Sequence, residues 1–125
     1  MKQKFELEYI ISSSPKILFD RLSTADGLSE WFADNVNQRG NIFSFFWDES
    51  EQQAEFLSKK NEKYIRFHWL DDEDENTYFE FKIEIDELTK DLALIITDFA
   101  EEDEQDDAIE LWDKQIDELQ HALGV

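Results

Sequence analysis

Ser14-Pro15-Lys16-Ile17-Leu18-Phe19-Asp20-Arg21-Leu22-Ser23-Thr24-Ala25-Asp26-Gly27-Leu28-Ser29-Glu30-Trp31-Phe32 is the stretch on which the fold turns. Ser14 is a good N-cap, because its hydroxyl can accept from an orphan helical N–H. Pro15 suits the first helical position, where no N–H is needed. Ile17, Leu18, Phe19 and Leu22 have helical spacing. A second helix start follows at Ser23/Thr24, where Asp26 is placed to reach back as in a capping box. Its apolar residues are Leu28, Trp31 and Phe32. The spacing therefore predicts two short helices over Pro15 to Phe32, with a break near Thr24.

On both sides of this stretch the period drops to two. Phe5 to Ile11 alternates, with Phe5, Leu7, Tyr9 and Ile11 on one face, and predicts a half-buried strand. Beyond Phe32, Val36 opens a short strand that turns at Arg39-Gly40-Asn41. Ile42 to Trp47 places Phe43, Phe45 and Trp47 on one face. Ala54 to Lys59 is a weaker strand, and Lys60-Asn61-Glu62 is a turn. Tyr64 to Leu70 sets Ile65, Phe67 and Trp69 against Tyr64, Arg66 and His68. After an acidic turn, Asp71 to Asn76, the cleanest strand sets Phe79, Phe81, Ile83 and Ile85 against Glu80, Lys82, Glu84 and Asp86. Glu87 to Asp91 turns into a last strand, Leu92 to Phe99. Its two apolar faces predict cover on both sides. Ile109, Trp112, Ile116, Leu119 and Leu123 then draw one apolar stripe along a closing helix that Gly124 can stop. Acidic residues before the stripe complement the helix dipole.

Sequential strands with short turns predict an antiparallel meander, and its apolar face must be buried against the amphipathic helix. The expected class is α+β: a curved antiparallel sheet of six or seven strands wrapped around a long C-terminal helix, with two short helices after the first strand. One domain over residues 1–125 is expected, since the length suits one core.

The segment Ser14 to Phe32 resembles the N-terminal signature of START-like domains of the SRPBCC, or helix-grip, superfamily. That superfamily includes Bet v 1-type allergens and polyketide cyclases. The nearest branch is the Aha-type group, similar to the activator of the heat-shock ATPase chaperone. There a Ser-Pro opens the first helix, a Leu-Thr-like pair follows and a Trp-Phe-like pair ends the second. The signature positions are mostly packing positions, whereas the element order covers the whole chain. The resemblance implies a sheet gripping its last helix, often with an apolar cavity between them. Members bind lipids, hormones or polyketides, catalyse cyclisation or hydrolysis, or act as co-chaperones. This chain departs from the pattern in its acidity and in its low glycine content. The glycine-rich loop of the allergen-type relatives is absent, which counts against a loop cradling phosphate or ligand.

Composition bounds the chemistry. The 125 residues carry 12 basic and 32 acidic side chains, a formal net charge of −20. Such a chain repels phosphate, so nucleic acid and anionic membrane surfaces are not expected partners. No Cys is present, which excludes a disulfide scaffold and a thiolate metal site. Eleven Phe, four Trp and three Tyr argue against disorder despite the charge. No run of about 18 apolar residues would span a bilayer. The N-terminus lacks the apolar region of a signal peptide, so a cytoplasmic protein is expected.

Fourteen of the acidic residues fall in three runs: 48–51, 71–75 and 101–107. None has the spacing and central Gly of a calcium loop, so no metal is expected and a solvated face is the plain interpretation. A docking face for a basic partner is the sharper one. Catalytic constellations are poor: no nucleophile elbow, no His-Glu-x-x-His and no Gly-rich phosphate loop occurs. Only His68, His121, Tyr9 and Tyr64 are realistic acid–base candidates. By parity His68 faces outward, and Tyr9 alone faces the interior. Every strand's acidic residues are expected on the polar face. No catalytic residue and no cofactor is therefore assigned.

The expected cavity lining, between sheet and helix, is Trp31, Phe43, Phe45, Phe67, Trp69, Phe79, Phe81, Ile83, Trp112, Ile116 and Leu119. Noncatalytic binding of a small hydrophobic or lipid-like molecule is the leading expectation. A co-chaperone-like module docking a basic partner is the alternative, and a cyclase or hydrolase comes third. Monomer and homodimer both remain open.

Overall fold

The computed structural model describes residues 1–125. Strand β1 (Gln3–Ile10) keeps Phe5, Leu7 and Tyr9 half-buried and exposes the residues between them. Ser14 Oγ then accepts from the Ile17 amide at 3.2 Å and caps α1 (Pro15–Ser23), which buries Leu18, Phe19 and Leu22. Thr24 caps α2 (Ala25–Leu28), accepting from the Gly27 amide at 2.9 Å. With Thr24 as the cap, the third helical residue is Gly27 and not Asp26, so the capping box expected from Asp26 does not form.

The second helix also ends earlier than expected, at Leu28, where the chain turns, and it meets α1 backbone to backbone. A Cβ on Gly27 would lie 2.3 Å from the Asp20 carbonyl oxygen and 2.7 Å from Arg21 Cα. Only a glycine permits that approach. After α2 the chain turns, and Trp31 Nε1 donates to the Arg21 carbonyl at 2.8 Å. This bond fixes the turn that sends Trp31 and Phe32 into the interior.

The remaining strands are β2 (Asn35–Arg39), β3 (Ile42–Trp47), β4 (Ser50–Lys60), β5 (Tyr64–Trp69), β6 (Phe79–Ile85) and β7 (Leu92–Ala100). Each pairs antiparallel with the next, and β1 closes onto β7. The sheet order is β1-β7-β6-β5-β4-β3-β2. Strand β4 starts earlier than its apolar residues suggest, because Ser50 to Gln53 are recruited by pairing with β3. A β-bulge between Phe56 and Ser58 leaves Leu57 exposed and bends the strand.

The inner face carries Phe43, Phe45, Ala54, Ile65, Phe67, Phe79, Phe81, Ile83, Leu92, Leu94 and Ile96, all buried. Cover on both faces of β7, expected from its composition, is not found. Ala93, Ile95 and Phe99 stay partly exposed on the outside. Thr97 is buried there by the side chains of neighbouring strands, donating to Glu6 at 3.4 Å. Long side chains thus replace a second layer: Tyr78 packs edge-on against Phe99, and Arg66 lies 3.9 Å over Tyr78 while pairing with Glu80.

One turn of 3-10 helix (Glu102–Glu104) leads into α3 (Gln105–Leu123). Its stripe buries Trp112, Ile116 and Leu119 and half-buries Ile109 and Leu123. Gly124 ends it in the left-handed conformation, with closing amides on the Gln120 and His121 carbonyls. The Tyr9 hydroxyl donates to Asp113 at 2.5 Å and ties β1 to α3. One cluster of 23 buried side chains joins all three helices to the sheet. The architecture is the α+β helix grip anticipated above. No helix is long and apolar enough to cross a membrane.

Candidate functional site: an aromatic pocket at one end of the grip

In an antiparallel meander alternate strands run the same way, so β3, β5 and β7 end on the same side of the sheet. The last residues of β3 and β5 are Trp47 and Trp69, and Asp98 sits near the end of β7. Phe32, from the turn after α2, and Trp112, from α3, close in from the helical side. Between them lies a half-open pocket of about 420 Å³. Ser50, Gln52, Ala108, Leu111 and Gln115 complete its lining.

Phe32 is the hub of the walls. Its ring lies 5.7 Å from Trp47, 6.4 Å from Trp69 and 5.9 Å from Trp112. The polar edges of these rings are fixed. Trp47 Nε1 and Gln115 Nε2 both donate to the Phe32 carbonyl, at 3.0 and 3.2 Å. Trp112 Nε1 donates to Asp98 Oδ2 at 2.9 Å, and the Phe99 amide donates to Asp98 Oδ1 at 2.8 Å. Every indole in the wall except Trp69 is thereby locked in orientation.

Asp98 corrects the expectation that all strand carboxylates face outward. It continues the inward set Leu92, Leu94 and Ile96 of β7, two residues on, so its parity was legible. The neighbouring apolar residues on both faces of β7 masked the alternation. Burial pushes its carboxyl pKa up, opposed by the hydrogen bonds from Trp112 and from the Phe99 amide. It has no ion-pair partner within 4.0 Å.

Of the side chains expected to line a cavity, Trp69 and Trp112 stand in the pocket wall. Trp31, Phe43, Phe45, Phe67, Phe79, Phe81, Ile83, Ile116 and Leu119 are packed in the buried cluster beneath it. Phe67 stacks on Phe79 at 5.0 Å and meets Phe43 edge-on at 5.1 Å, with Phe81 at 5.6 Å from Trp31. Phe32, Trp47 and Asp98 were not singled out from the sequence as lining. The Trp-Phe pair at 31–32 carried the signal for Phe32. His68 lies outside the pocket, its Nδ1 donating to the Thr77 carbonyl at 2.8 Å on the outer face. His121 bonds the Asp117 carbonyl on the exposed side of α3. Tyr9 and Tyr64 do not reach the pocket.

The same topology gathers the three acidic runs. Run 48–51 is the β3–β4 turn and the first residues of β4, 71–75 follows β5, and 101–107 runs from the end of β7 into α3, so all three lie at the end of the sheet where the pocket opens, with Ser50 in its lining. The N-terminal residues answer part of this charge. Lys2 pairs with Asp72 at 2.9 Å, and the Met1 amino group pairs with Glu101 at 3.0 Å. Burial would raise the Asp72 pKa, but hydrogen bonds from Thr77, Lys2 and the Asp74 amide outweigh it and hold the carboxyl at about 2. No three His, Asp or Glu side chains converge to hold a metal ion.

The model of the START-like superfamily domain matches residues 1–125. Among solved structures, the chain is similar to BfR322 from Bacteroides fragilis, at 44% identity over 98% of this chain and 91% of that one, with a TM-score of 0.69. It also shares its fold with the Aha1 dimer from Colwellia psychrerythraea (18% identity, 97% and 96% covered, TM-score 0.81). DynU16, a putative protein in the dynemicin biosynthetic locus, has the same fold (9% identity, 98% and 47% covered, TM-score 0.79). No curated protein matches the chain. The family match over the whole chain, the BfR322 likeness and the gripped C-terminal helix lead to one assignment: this chain belongs to the START-like superfamily.

Proposed function

We propose that the protein is a noncatalytic binder of a small molecule with an apolar body, held in the pocket between α3 and the end of the sheet. One observation carries this: beside a core filled by packed rings, Phe32, Trp47, Trp69 and Trp112 wall a cleft of about 420 Å³ open to solvent. That volume is within the range of small-ligand sites, and walls of aromatic side chains with a few fixed polar groups are their usual composition. The lining has one titratable side chain, Asp98, and its oxygens already accept two hydrogen bonds. A nucleophile with its base, or an acid with its base, would need a second group. Titration with an environment-sensitive apolar dye tests the proposal, with W69A and L111D as pocket variants. Saturable binding weakened by both variants is expected. Binding that ignores both variants, or no binding at all, would refute it.

The gathering of three acidic runs at one end supports a second reading, docking of a basic protein partner. Capture of such a partner at low salt and its loss at high salt is the expected behaviour, because exposed charges are screened within about 10 Å at 0.1 M salt. Salt-insensitive capture would count against it.

A further inference from the structure

We propose that the guest of this pocket is an organic cation, an ammonium group carried on an apolar body. The inference rests on the pocket-binding reading above and names the chemistry of its ligand. Three independent features of the site point the same way.

Asp98 is a largely buried carboxylate at the floor of an aromatic pocket, and it receives hydrogen bonds from an indole and an amide but no cation. Buried charges are ordinarily paired, because desolvation of a lone ion is costly. The pocket lining supplies no Lys, Arg or His. Lys2, whose charge reaches Asp98, makes its ion pair with Asp72 instead.

The walls are the second feature. Phe32, Trp47, Trp69 and Trp112 present π-faces around one space. A cation within about 6 Å of a ring centroid is attracted by its quadrupole, and Trp is the best such partner. Since Trp47 and Trp112 have their N–H groups committed elsewhere, their faces are what a guest meets.

The third feature is the rim. The pocket opens at the end of the sheet that carries runs 48–51, 71–75 and 101–107, and that charge raises the local concentration of cations and repels anions. A neutral apolar guest would gain nothing from that field, and an anionic one would be opposed by it and by Asp98.

The test is Trp fluorescence titration of the whole protein with benzyltrimethylammonium, its neutral carbon analogue neopentylbenzene, and phenylacetate. The cation should bind about tenfold or more tighter than the neutral analogue, since each tenfold is a small part of a close ion-pair energy at intermediate dielectric. Phenylacetate should not bind. D98N keeps an acceptor for Trp112 and removes the charge, so the ratio of cation to neopentylbenzene affinity should fall to about one. Added salt should weaken binding of the cation alone. Equal binding of cation and neutral analogue, or a preference that survives in D98N, overturns the cation proposal and leaves pocket binding standing. Failure of all three probes to bind overturns both.

Discussion

Truncation of Phe32 to alanine is the sharpest probe of how the grip is held together. The ring is 3% exposed and meets seven other rings: Trp31, Phe45, Trp47, Trp69, Phe79, Phe81 and Trp112, at centroid distances of 5.1 to 6.4 Å. Burial of a Phe side chain stabilises by about 1.5–3 kcal/mol. Each aromatic pair adds about 0.5–1.5 kcal/mol beyond its area, although seven pairs sharing one ring are not additive. The expected loss for F32A is therefore about 4 kcal/mol, within the usual cost of Phe→Ala in a core. Urea unfolding followed by Trp fluorescence reads it. With an m-value of about 1–3 kcal/mol/M, the midpoint should fall by at least about 1.3 M. Phe32 also walls the pocket, so the hole opens into it and dye capacity should rise. F67A removes the same atoms from a fully buried site and should lose comparable stability without that rise. A loss below about 1 kcal/mol for F32A at unchanged m would refute Phe32 as the hub.

Four further outcomes are expected. G27A should lose about 1–3 kcal/mol, the usual cost of overpacking, because its Cβ overlaps the Asp20 and Arg21 backbone; thermal unfolding at unchanged stability would refute the close helix contact. Y9F should lose about 1 kcal/mol by releasing Asp113 from β1, which the same unfolding assay measures. Asp98 has a raised folded pKa, so it favours the folded state most at low pH and loses that contribution as pH rises from its unfolded value through the folded one. D98N should accordingly flatten the fall in stability that the parent shows as pH rises through that window, read by unfolding at a series of pH values; an unchanged pH profile would refute it. Asp72 acts in the opposite sense: its folded pKa of about 2 adds stability above pH 4 that disappears as pH falls toward 2, and D72N should flatten that limb of the stability profile.

Period-two alternation made most strands legible, because an inward Phe, Leu or Ile has the same physical reason to be buried wherever its strand sits. Phe79, Phe81 and Ile83 show this plainly. Strand β4 was harder, since Ser50 to Gln53 carry no apolar signal and are extended only because β3 offers unpaired amides and carbonyls beside them. The length of α2 was likewise invisible. The turn that ends it at Leu28 is fixed by a tertiary bond, Trp31 Nε1 to the Arg21 carbonyl, that no local propensity encodes. Asp98 was legible by parity and hidden by its company, whereas Phe32 was visible as part of an aromatic pair but not as the centre of seven rings.

The amino-acid sequence by itself determined the element order, the inward and outward faces, and the separation of aromatic residues from acid. Those are consequences of periodicity and local capping, which act over a few residues. Which aromatics fill the core and which wall a pocket was decided by tertiary structure alone. So was the meeting at one end of the sheet of three acidic runs that are distant from one another in the chain. The cause is the meander: alternate strands end on one side, so turns distant in sequence share one end of the sheet, the end at which Asp98 lines the pocket.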